Sequence, residues 1–111
     1  MAALTDPMSL VQFEEELRRI ARFDVKEPLA DPLGVAVRTI EDNPAFAQSR
    51  LLARLLRALT NHSGEFRRAE AAVFDTPTLR IVIALMNAAA VGTVVHDDWV
   101  AAVMAADAAG A

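Results

Sequence analysis

The chain of 111 residues has no cysteine. That one absence removes a disulfide framework, a thiolate zinc site, an iron–sulfur cluster and a cysteine nucleophile. Its four glycines stand singly, so no glycine-rich loop can cradle a phosphate. Neither an acyl-carrier Asp-Ser-Leu nor an acidic run suited to calcium is present. Lysine is nearly missing: ten of the eleven basic residues are Arg and only Lys26 is not. With the abundance of Ala, this reads as GC-rich, bacterial coding bias and not as function. The longest apolar stretch, Ile81 to Val95, is interrupted by Asn87, Gly92 and Thr93 and is too short to span a bilayer. The first residues, Met1 to Pro7, lack the basic and apolar regions of a signal peptide. A cytoplasmic location without a membrane partner is the expectation.

What is present is apolar and helix-forming. Hydrophobic residues make up 54% of the chain and its formal net charge is −4, so no global field attracts nucleic acid or anionic lipid. A chain this long can bury roughly 65% of its unfolded surface without staples. Apolar spacing follows a period of 3.6, with no alternating segment, and no strand is expected. Pro and Gly punctuate about six short helices.

The first spans about 8–23, with Ser9 and Gln12 as a capping box and Leu10, Phe13, Leu17, Ile20 and Ala21 on one face. Glu14–Arg18 and Glu15–Arg19 are spaced as ion pairs on its wet side. The second, 32–41, starts at Asp31-Pro32 and buries Leu33, Val37 and Ile40. The third, 44–60, carries Gln48, Leu51, Leu52, Leu55, Leu56 and Leu59 on its core face. A fourth, 64–74, is expected to bury Phe66, Ala69 and Val73. The fifth, 77–91, is apolar on nearly every side and ends at Gly92, and the sixth spans 97–108. The fold class is therefore all-α, a compact bundle or orthogonal array forming one helical domain over residues 1–111.

Arg50, Arg54 and Arg57 fall at i, i+4 and i+7 opposite the leucines of the third helix, with Arg67 and Arg68 beyond the break. Residues 48–70 hold five Arg against Glu65 and Glu70, a net of +3. Guanidinium groups so spaced can hold phosphates, or can pair with Glu14 to Glu16 within the fold or across a dimer. No aromatic residue interleaves the stripe, so base stacking has little support. Reading the last two helices as a helix-turn-helix fails on charge. No Lys or Arg occurs from Thr93 onward, while Asp97, Asp98 and Asp107 do.

His62, His96 and Asp97 are similar in order to the metal ligands of helical phosphohydrolases of the HD superfamily. That family's last Asp lies well downstream on a later helix, where this chain offers only Asp107, so the family is not assigned. Asp97 and Asp98 suit the first turn of a helix. His62-Ser63 suits a turn better than a nucleophile with its base, because neighbours in a turn rarely face each other. No catalytic residue, metal ligand or cofactor is assigned.

Two consecutive helices apolar on most sides are hard to enclose in so small a core. Either the fifth is central, or part of this surface is an interface, most simply a two-fold dimer. The interface is preferred here, with Trp99, Val100, Val103 and Met104 as its residues. The function expected is a small non-enzymatic interaction or regulatory protein, acting as a homodimer or on a helical partner. Nucleic-acid or phosphate-ligand binding by the Arg stripe stands second. A small metal-dependent hydrolase using His62, His96 and Asp97 stands third.

Overall fold

The computed structural model describes residues 7–21, 30–92 and 94–111. These residues form an all-α globule of five helices: α1 (Leu10–Ile20), α2 (Pro32–Asp42), α3 (Ala47–Asn61), α4 (Thr76–Val91) and α5 (His96–Ala108). The helix starts follow local chemistry. The Ser9 hydroxyl accepts from the Gln12 N–H, and the Gln12 side chain accepts from the Ser9 N–H. Asp31 caps α2 through the Gly34 N–H, and Asp75 caps α4 through the Thr78 N–H. Pro32 and Pro77 sit in the first turns, where a missing N–H has no consequence. The end of the first expected helix, at 22–23, lies outside the described residues.

The expected fourth helix does not form. Residues Glu65–Arg67 are a strand, β2, and Arg68–Ala72 a 3₁₀ turn. β2 pairs antiparallel with β1 (Pro7–Ser9), in the register Pro7 to Arg67, Met8 to Phe66 and Ser9 to Glu65. A helix of three turns is marginal without a strong apolar face, and here tertiary packing outweighs it. In the extended form Phe66 drops into the core and stacks on Phe13, with ring centroids 4.3 Å apart and planes 4° from parallel. The buried residues are consequently Phe66, Ala71 and Phe74, while the expected Ala69 and Val73 are exposed. Pro7 begins its strand, where no ladder donor is lost.

Gly64 permits the entry to β2. A Cβ there would lie 2.8 Å from the Ala58 Cβ and 3.0 Å from the Phe66 ring. Gly64→Ala should therefore destabilise the fold by about 1–3 kcal/mol, which a urea titration would read directly. No loss would mean that this turn relaxes freely.

The apolar α4 is central. Leu79, Ile81, Val82, Ile83, Leu85 and Met86 are all buried, and its exposed strip includes Arg80 and Asn87. The Arg18 guanidinium donates to Asn87 Oδ1 at 3.0 Å and ties α1 across this strip. The leucines of α3 complete the core with Phe13, Leu17, Ile40 and Phe66. Gln48, assigned to that core face, instead exchanges hydrogen bonds with Asp75 at the start of α4. No helix among the described residues is long and apolar enough to cross a membrane.

Candidate functional site

Most of the Arg stripe is tied to the fold. Arg54 pairs with the Glu70 carboxylate, donates to the Glu65 carbonyl at 2.9 Å and lies over the Phe66 ring, 5.2 Å from its centroid. Glu70 also accepts from the Arg67 backbone N–H at 2.8 Å. Arg57 reaches Asp107 on α5 at 2.5 Å. These side chains are half-exposed, so each pair contributes only about 0.2–1 kcal/mol, but together they orient the 3₁₀ turn and α5 against α3. Arg50 and Arg67 make no ion pair among the described residues.

Arg68 extends to Glu16 at 3.3 Å, and Arg19 reaches the same carboxylate at 2.6 and 3.0 Å. Pairing of the Arg cluster with Glu14 to Glu16 is thus realised once, at Glu16. Arg19 takes Glu16 and not Glu15 because Glu16 lies on the flank of the core face, and is itself buried. Its helical position, about 90° from the centre of the apolar stripe by the 100° step of a helix, was the signal available in the sequence.

The hydrogen bond from Arg19, and the charges of Arg19 and Arg68, hold the Glu16 carboxyl below its ordinary range. Asp75 is lowered likewise by its bonds from Gln48 and Thr78. Their contributions to stability are full at neutral pH and are lost as pH falls through the lowered values. Glu14 behaves oppositely: burial raises its carboxyl, against the charge of Arg18. The folded state binds its proton more tightly than the unfolded state, so its contribution is lost as pH rises from 4.5, the ordinary value, through the raised one. Glu14→Gln should therefore raise the melting midpoint at pH 7, and the gain should vanish below pH 4.5. An equal gain at both pH values would assign the effect to something other than this charge.

α5 divides the residues assigned to an apolar interface. Trp99 is 6% exposed and belongs to the core with Ala102 and Ala106, and Val103 packs partly against it. Val100 and Met104 point outward, 37% and 65% exposed. Trp99 is thus corrected from interface to core, because the ion pair from Arg57 to Asp107 and the packing of α5 on α2 and α3 fix its rotation. Ala101 and Ala108 lie exposed beside Val100 and Met104. No charged residue occurs between Asp98 and Asp107. On the α2 side of this face runs a shallow groove of about 600 Å³, lined in part by Leu33, Gly34, Val37, Ala101, Ala102 and Ala105.

His62 and His96 line one cavity of about 180 Å³, with Leu59, Thr60, Ala89 and Trp99 among its walls. Asp97 does not line it. Among the described residues no group of three or more His, Asp or Glu could hold a metal ion, and a catalytic zinc site uses three protein ligands. Thr60 and Trp99 were not legible as cavity residues, because Thr60 read only as the end of a helix and Trp99 as part of an apolar interface.

No protein family, curated protein or solved structure matches this chain. The functional reading therefore rests on these surfaces.

Proposed function

We propose that this chain is a small non-enzymatic interaction protein that self-associates two-fold through the outer face of α5. The observation that carries the reading is the composition of that face. A helix face in water ordinarily carries charged residues along its length, whereas the outer face of α5 carries Asp97 in its first turn and thereafter presents Val100, Ala101, Met104 and Ala108 outward. The neighbouring α2/α5 groove has Gly34, Ala101, Ala102 and Ala105 along its length, with Asp31, Arg38, Glu41 and Asp98 also in its lining. A protruding Met104 beside those small residues is the pairing that a two-fold axis can satisfy twice, each copy giving and receiving the same contact. Methionine suits this, since its unbranched side chain fills irregular gaps.

The test is native mass spectrometry at micromolar concentration. Wild type is expected at twice the 12.0 kDa chain mass. Val100→Glu combined with Met104→Arg should return it to monomer with its helical circular dichroism intact. A wild-type monomer throughout the micromolar range would sink the proposal.

The runner-up, an anion-binding Arg face, loses support because Arg54, Arg57 and Arg68 already hold carboxylates of the fold. Replacing Arg50, Arg54 and Arg57 together by Glu should leave the oligomer mass unchanged. It should lower stability by about 1–2 kcal/mol, as two attractions become repulsions. If the oligomer dissociates in that variant while the monomer stays folded, the Arg face and not α5 forms the interface.

A further inference from the structure

His62 is the only described non-glycine residue with positive φ, at φ 57° and ψ 31°. It closes α3 in the left-handed conformation that glycine adopts without steric cost. α4 ends beside it with the residue this geometry favours, Gly92 at φ 74°. Two helix ends thus meet the same cavity, and only one of them uses the residue that local sterics prefer. A non-glycine residue held in this conformation carries backbone strain of the kind that clusters at functional sites.

Its surroundings suggest what the role is. His62 and His96 line the same small cavity, whose walls include the C-terminal ends of α3 and α4. Those two helix C-termini carry partial negative charge, and the first turn of α5, which begins at His96, carries partial positive charge. Among the described residues no Lys or Arg lines the cavity, and neither occurs after Arg80 in the sequence. Two imidazoles on one cavity match a metal of intermediate softness; magnesium and calcium demand oxygen ligands instead.

We propose that His62 and His96 bind a late first-row divalent metal ion, of the copper, nickel and zinc class, through one imidazole nitrogen each. Water completes the coordination sphere. The ion fastens the end of α3 to the start of α5 and so holds the helix whose outer face is read above as the contact surface. The site stands independently of that reading, since His62 and His96 do not belong to the outer face of α5. With two protein ligands it is a fastening site of moderate affinity, and no hydrolytic step is assigned to it.

Trp99 is the only tryptophan of the chain and lines the cavity, so its fluorescence reports on the site. Titration of the full chain with Cu²⁺ should give saturable quenching, and Mg²⁺ none. His62→Gly and His96→Gln should each weaken the apparent affinity for Cu²⁺ about tenfold or more. His62→Gly should also raise the melting midpoint of the metal-free protein by roughly 3–6 °C, because glycine relieves the left-handed turn. That variant therefore loses metal while gaining stability, which separates ligation from damage to the fold. Zn²⁺ should raise the midpoint of wild type and leave both variants unmoved. Quenching that is equal in wild type and in both variants, or that does not saturate, would overturn the site.

Discussion

Phe66→Ala is expected to cost about 3–5 kcal/mol, the range for removing a fully buried aromatic ring. Phe66 is 2% exposed and its ring lies parallel on Phe13. A stacked aromatic pair adds about 0.5–1.5 kcal/mol beyond area burial, and that increment is lost with either ring. The truncation also takes away the surface under the Arg54 guanidinium and the apolar residue that anchors β2 to β1. Domains of this kind are stable by about 5–15 kcal/mol in total, so a large share of the folded population should be lost. In a urea titration the midpoint should fall with little change in slope. Phe66→Leu should cost clearly less, because most of the volume is kept. A cost for Phe66→Ala below 1 kcal/mol would mean that the 64–74 segment does not seat its ring in the core.

The same residue marks where sequence reasoning stops. Helices whose apolar stripe is dense were legible as elements, α2 and α4 to within a residue at each end, while α1 starts two residues later than expected, after strand β1, and α3 starts at Ala47 and not at Pro44. α3 shows its row of leucines, and α1, α2 and α4 carry caps at Ser9, Asp31 and Asp75. The 64–74 segment had only Phe66, Ala69 and Val73 at helical spacing, and strand pairing with Pro7–Ser9 is a contact between residues more than fifty positions apart. Nothing local announces it. Polar partners were legible in kind but not in identity. The Arg cluster was open to pairing with Glu14 to Glu16, and only Glu16 serves, while Glu70 and Asp107 take Arg54 and Arg57. Those choices depend on how α3, α5 and the 3₁₀ turn are placed, which a 100° helical step does not contain. The two histidines show the same limit: thirty-four positions apart in sequence, they line one cavity because α3 ends near the start of α5.

Rotation of α5 about its axis is the feature on which the functional reading turns, and Trp99→Ala set against Met104→Ala tests it. Trp99, 6% exposed, sits with Ala102 and Ala106 against the core. Its truncation should cost about 3–5 kcal/mol. Met104 is 65% exposed, so within the monomer its truncation should change stability by less than about 0.5 kcal/mol. Self-association adds a separate, concentration-dependent effect, because a partner that binds only the folded chain stabilises it by mass action. The melting midpoint of wild type should therefore rise with protein concentration, and that rise should weaken in Met104→Ala and be absent in Val100→Glu with Met104→Arg. Trp99→Ala should melt early at every concentration. If Met104→Ala is as damaging as Trp99→Ala in dilute protein, α5 is rotated from the orientation described and Val100 and Met104 belong to the core. If Met104→Ala is neutral and the wild-type midpoint is also independent of concentration, the outer face of α5 tolerates water and does not self-associate.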